Sequence, residues 1–157
     1  MKAFIVIVFL FAGLNTSLAQ NPSPIDRDQL ACLLNPENDT LYIFNFWATW
    51  CSPCVREIGY FEEVHKASKD LPRKVVLINL DFPDQFEKRV LPFIAEKKLT
   101  AQILQMTDMD YNSWIPLVNE DWSGAIPATL LIKRDKQKFI AREVSKQELI
   151  ELISNFN

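Results

Sequence analysis

Cys51 and Cys54, in the stretch Trp50-Cys51-Ser52-Pro53-Cys54, are two thiols separated by two residues. That spacing serves a metal site, a structural bridge, or reversible exchange in which a thiolate attacks a disulfide sulfur. A structural zinc site needs four ligands, and beyond this pair the chain offers only Cys32 and the single histidine, His65, among the usual nitrogen and sulfur donors. No metal and no other cofactor is therefore expected. Bridge or redox pair then depends on what the two sulfurs sit on.

Residues 41–47, Leu-Tyr-Ile-Phe-Asn-Phe-Trp, form a continuous apolar run of strand length, as a strand buried on both faces requires. After the cysteines the period changes. Val55, Ile58, Phe61, Val64 and Ala67 recur every three residues, which predicts a helix over 52–69. Pro53 suits its first turn, where a missing N–H costs nothing. The pair thus lies where a buried strand hands over to a helix, and the positive end of the helix dipole stabilises a thiolate at Cys51. This argues for exchange over an inert bridge. Cys51, nearer solvent, is expected to attack a partner's disulfide, and Cys54 to resolve the mixed disulfide by closing the Cys51–Cys54 bond.

The other elements follow from the same patterns. A short helix over 26–34, a buried strand over 74–80, an amphipathic helix over 85–98 in spite of Pro92, and a strand over 101–106 come in that order. Strands over 128–133 and 138–142 are expected to form a hairpin across Arg134-Asp135-Lys136-Gln137. Ser145, with Glu148 three residues on, caps a last helix carrying Leu149, Ile150 and Ile153. Residues 20–25, with Pro22 and Pro24, read as an extended lead-in. Residues 108–124 carry no assigned element beyond a short helix near 112–118, and Tyr111, Trp114 and Trp122 there either pack a core or dock a partner. Alternating strands and helices before a closing hairpin imply an α/β sandwich with a partly parallel sheet.

The chain has 157 residues and a net charge of −3, with no basic excess to suggest nucleic acid or anionic lipid as a partner. Lys2, the uncharged run that follows it and the small residues Ser17 and Ala19 read as a secretory signal over 1–19, cleaved after Ala19. The apolar run falls short of the roughly 20 residues that span a bilayer, which disfavours an uncleaved anchor. Residues 20–157 are then one domain in a periplasmic or other extracytoplasmic compartment, where disulfide chemistry is at home. Leu30-Ala31-Cys32 imitates the end of a lipoprotein signal, but Asp26, Arg27 and Asp28 separate it from the apolar run. Cys32 is expected to be a buried free thiol, and His65 a solvent-exposed helix residue.

The ten residues Asn45-Phe46-Trp47-Ala48-Thr49-Trp50-Cys51-Ser52-Pro53-Cys54 closely resemble the thioredoxin superfamily, in particular its exported TlpA-like and ResA-like branch. The resemblance implies a thioredoxin-like three-layer sandwich, a mixed sheet flanked by helices. It also implies a strand and helix inserted between the Cys-x-x-Cys helix and the strand that follows a cis-proline. Cys54 and Pro127 are 73 positions apart (127 − 54), which leaves room for it. By this resemblance Pro127, in Ile126-Pro127-Ala128-Thr129, is a cis-proline packed against the redox pair, and Ile126 and Trp50 form part of the partner-binding rim, with Trp47 in the core. Asn45 stands where thioredoxin has a buried acid, and Glu57, one helical turn beyond Cys54, is the residue expected to tune the thiol pKa values and relay a proton.

The branch keeps partner thiols reduced, including those of apocytochromes before haem attachment. Its members exchange with protein thiols and disulfides and draw electrons from a membrane thiol carrier; a monomer is expected. The alternative within the fold is a thiol oxidase or isomerase, because Cys-x-x-Cys couples run from about −270 to about −120 mV and the motif alone does not set direction. A non-catalytic docking or chaperone domain would have no need of Cys51, Cys54 and Pro127 together. A peroxide-reducing relative would carry Pro-x-x-x-Thr-x-x-Cys, a stretch this sequence lacks.

Overall fold

The computed structural model describes residues 22–156. The signal expected over 1–19 lies outside the described residues. Six strands build one sheet in the order β1-β4-β3-β2-β5-β6. They are β1 Ser23–Ile25, β2 Leu41–Trp47, β3 Arg73–Asn79, β4 Gln102–Met106, β5 Ala128–Lys133 and β6 Lys136–Ile140. β1 to β4, β4 to β3 and β3 to β2 are parallel pairings; β2 to β5 and β5 to β6 are antiparallel.

Both faces of the sheet are covered, which is why β2 and β3 read as unbroken apolar runs. Leu41, Ile43 and Trp47 of β2 join a core with Cys54, Ile58 and Phe61 of α2 (Ser52–Ala67), Ile94 of α3 (Leu91–Lys97) and Leu149 and Ile153 of α5 (Lys146–Ser154). Phe44 and Phe46, pointing the other way, pack with Leu30 of α1 (Arg27–Leu33) and with Trp114 and Val118 of α4 (Tyr111–Val118). The period of two along β2 therefore assigns alternate residues to alternate layers. Asn45, in step with Ile43 and Trp47, faces α2.

Several expectations need correction. Residues 23–25 are not merely a lead-in: they form the edge strand β1, in register with residues 104–106 of β4. The helix expected over 85–98 is broken into a 3₁₀ turn at Pro83–Gln85, a π turn at Phe86–Val90 and then α3. Pro92 has no N–H to return to the preceding turn and its ring crowds that carbonyl, so the chain widens just before it. The expected four-residue hairpin turn is only Arg134-Asp135, with Arg134 at φ 53° in the left-handed region. β6 starts two residues early, at Lys136, because the ladder continues through polar residues on an exposed edge. Cys32 is exposed, not buried. It lies two residues from both Leu30 and Leu34, the buried side of α1, and two residues turn a helix by more than half a circle.

The segment 108–124 resolves in favour of packing for two of its three aromatics. Trp114 and Trp122 are buried, with ring centroids 5.9 Å apart, and Trp122 lies 4.9 Å from Phe46. Each indole N–H is satisfied, Trp114 donating to the Asp108 carbonyl at 3.1 Å and Trp122 to that of Ala125 at 2.9 Å. Tyr111 stays partly exposed at the rim.

Candidate functional site

Parallel strands in register end together. Trp47 of β2 is opposite Asn79 of β3, which is opposite Gln105 of β4, and antiparallel β5 begins at Ala128 opposite Phe46. The segments 48–51, 80–82, 107–110 and 124–127 thus meet at one end of the sheet. Trp50, Cys51, Ile126 and Pro127, among the expected site residues, lie in these segments.

Cys51 is the N-cap of α2, and its sulfur accepts the Cys54 N–H at 3.3 Å. Pro53 occupies the first turn, as its missing donor allows. Cys51 and Cys54 are joined as a disulfide with a Cα–Cα distance of 5.3 Å. Cys54 is fully enclosed, whereas Cys51 keeps 5% of its surface exposed, and Trp50 beside it is 59% exposed. Of the two sulfur-bearing residues Cys51 is thus the less enclosed. Trp47 is fully buried.

The Ile126–Pro127 peptide bond is cis. Pro127 is buried, and Ile126 packs on the cluster that contains Cys51 and Cys54. Two residues on, Thr129 is buried opposite Asn45. The Asn45 amide donates to the Thr129 hydroxyl at 3.3 Å and to Glu57 Oε1 at 2.9 Å. Glu57 Oε2 accepts the Val144 N–H at 2.7 Å. Burial raises the Glu57 pKa to about 7, against the lowering effect of the bonds from Val144 and Asn45 and with Glu143 and Glu148 pushing the same way as burial. The segment that supplies Val144 is tied down on both sides. Glu143 pairs with Arg56 of α2, with Arg56 Nε 2.9 Å from Glu143 Oε1, and Arg142 Nη1 lies 3.0 Å from Glu148 Oε2 of α5.

Sequence reasoning did not single out Asp81, Thr49 or Val144. Asp81 is buried just beyond β3 and accepts from Thr49 at both its N–H and its hydroxyl. The only hint was a carboxylate closely following a buried strand. Val144 contributes through its backbone, which no side-chain pattern reveals. Cys32 and His65 lie on α1 and α2 away from this end of the sheet, and among the described residues no cluster of three or more His, Cys, Asp or Glu side chains is placed to hold a metal. The arrangement can take up and release two electrons at Cys51 and Cys54, with a buried carboxyl that titrates near neutrality one turn away.

A model of the AhpC/TSA family matches residues 31–140, more than two thirds of the chain. Sporulation thiol-disulfide oxidoreductase A of Bacillus subtilis is 33% identical over 69 residues, which are 44% of this chain and 42% of that protein. Thiol-disulfide oxidoreductase ResA of Bacillus cereus is 27% identical over 106 residues, 66% of this chain and 56% of that protein. The chain thus spans about half the length of the curated relatives it matches. Among solved structures, the thioredoxin-related protein from Neisseria meningitidis serogroup B superposes with a TM-score of 0.64 over 76% of this chain and 86% of that one, at 23% identity. That likeness is one of fold: a mixed sheet flanked by helices, thioredoxin-like.

Proposed function

The chain belongs to the AhpC/TSA family, and from that premise we propose that it is an extracytoplasmic thiol–disulfide oxidoreductase that reduces disulfides of partner proteins. The single observation that carries this is the Cys51–Cys54 disulfide at the N-terminus of α2, with Cys54 fully enclosed and Cys51 the less buried of the two. The curated relatives named as thiol-disulfide oxidoreductases support it.

In the reduced protein the Cys51 thiolate attacks one sulfur of a partner's disulfide. The partner's S–S bond breaks, its first sulfur leaves as a thiolate and takes up a proton, and a Cys51–partner disulfide forms. Cys54, deprotonated, then attacks Cys51 Sγ. The mixed disulfide breaks, the second partner sulfur leaves and is protonated, and the Cys51–Cys54 bond closes. Two electrons have passed to the partner, and a membrane thiol carrier returns the protein to its dithiol form. Glu57 is one turn from Cys54 on the same helix face, the place for a carboxylate that accepts the Cys54 proton before the second attack. Trp50, Ile126 and the buried Pro127 form the rim that receives the partner's extended chain.

The narrower assignment to the TlpA-like branch rests on two strands, β3 and β4, and two α-helices, α3 and α4, between α2 and the Pro127 loop, where a minimal thioredoxin has one of each. In this reading residues 1–19 are a cleaved signal, residues 20–157 a monomeric domain, and apocytochrome cysteines one class of substrate.

Insulin disulfide reduction by wild type and Cys51→Ala, together with the reduction potential of the couple, tests the proposal. A reductant has a potential near the about −270 mV of thioredoxin and loses its activity with Cys51; a value near about −120 mV makes the protein an oxidant instead. Activity retained by Cys51→Ala would refute the mechanism.

A further inference from the structure

Asp81 is a buried carboxylate that the exchange reaction does not use, 2% exposed and, among the described residues, in no ion pair. A carboxylate out of water persists only where donors satisfy it, and here donors come from neighbouring strand ends. Oδ2 accepts the Thr49 N–H at 2.7 Å and the Asn79 side-chain amide at 2.8 Å, and Oδ1 accepts the Thr49 hydroxyl at 2.5 Å. The Asp81 N–H returns a bond to Asn79 Oδ1 at 3.1 Å, and its carbonyl accepts Gln105 Nε2 of β4 at 2.7 Å. Beside it, the Leu80 N–H donates to the Trp47 carbonyl at 2.8 Å. A line of hydrogen bonds thus crosses the ends of β4, β3 and β2 and finishes on Thr49. Two residues later is Cys51, whose own N–H is tied back to the Ala48 carbonyl at 3.2 Å.

We propose that Asp81 is a positioning residue for the redox pair, holding the turn 48–50 so that Trp50 and Cys51 meet an incoming disulfide in one fixed orientation. Charge-assisted bonds to a carboxylate are shorter and stronger than neutral ones, and both groups that Thr49 can donate are spent on it. The turn carries an exposed Trp50 on no element of its own, so without this anchor the indole and the sulfur would sample several arrangements relative to the Pro127 loop. Asp81 touches neither sulfur, so its effect falls on the encounter with a partner, not on the bond exchange itself.

The inference rests on the oxidoreductase reading above. Steady-state reduction of a peptide disulfide, with dithiothreitol recycling the protein, gives KM and kcat, and circular dichroism gives the folded fraction. Thr49→Ser keeps both donors and is expected to match wild type. Asp81→Asn and Thr49→Val are each expected to raise KM about tenfold with kcat within about twofold, a smaller loss than the about hundredfold that a 1 Å misplacement of reacting groups can cause. An Asp81→Asn protein that folds and keeps the wild-type KM overturns the inference, as does a loss that merely follows its unfolded fraction. If Asp81→Asn does not fold, Thr49→Val decides, because Asn79 still donates to Asp81; an unchanged KM there overturns the inference. Wild type that fails to reduce the peptide at all refutes the oxidoreductase reading, and this inference falls with it.

Discussion

Replacing Glu57 by glutamine removes a buried carboxyl whose pKa is raised to about 7. Below its ordinary pKa of 4.5 the carboxyl is protonated folded and unfolded. Between 4.5 and about 7 the folded protein holds a proton that the unfolded chain has released, so stability falls as pH rises, and above about 7 the full penalty of the buried anion is present. The interval is about 2.5 pH units, which at about 1.36 kcal/mol per unit is about 3 kcal/mol. The introduced amide can still accept from Val144 through its oxygen, and its nitrogen can donate to Asn45 Oδ1, which is buried without a partner, once the Asn45 amide turns over. Glu57→Gln should therefore match wild type at pH 4.5 and exceed it by up to about 3 kcal/mol at pH 8, as read by urea unfolding at both pH values. A difference between variant and wild type that stays constant across that range would sink the argument. The same variant tests the proton relay: wild-type thiol pKa values and a wild-type exchange rate in Glu57→Gln would remove Glu57 from the mechanism.

Two further outcomes follow from packing and exposure. Trp114→Ala removes a fully buried indole and should cost about 3–5 kcal/mol in chemical denaturation; a loss below about 1 kcal/mol would mean that α4 does not depend on it. Cys32→Ser changes an exposed side chain outside the site, so stability should move by less than about 0.5 kcal/mol and insulin reduction not at all; slower reduction would give this thiol a part in the reaction.

What could be read from the residues alone depended on burial. β2 was legible residue for residue because both its faces are covered, so every position but Asn45 had to be apolar or aromatic. The same holds for the apolar stripe of α2 and for Ser145, whose hydroxyl accepts the Glu148 N–H. Where backbone pairing is not accompanied by burial, the pattern is silent: Lys136, Gln137 and Lys138 form a strand while exposed to solvent, and β1 holds only three residues, one of them Pro24. The site was legible as far as its side chains form a motif. Its supports were not, because Asp81 acts on a turn 32 positions earlier and Val144 acts through an N–H. Cys32 misled because apolar neighbours in sequence need not be neighbours on a short helix.

The two edges of the sheet have a consequence of their own. On the function proposed above, the partner chains that reach Cys51 would bring extended segments able to join an open ladder. The protein's own open ladders are poor templates: β1 is three residues long and interrupted by a proline, and β6 presents Lys136 and Lys138 to solvent. Under that proposal a captured chain would be held at the cysteines, from which it can be released, and not along a sheet edge, where it would stay and recruit others.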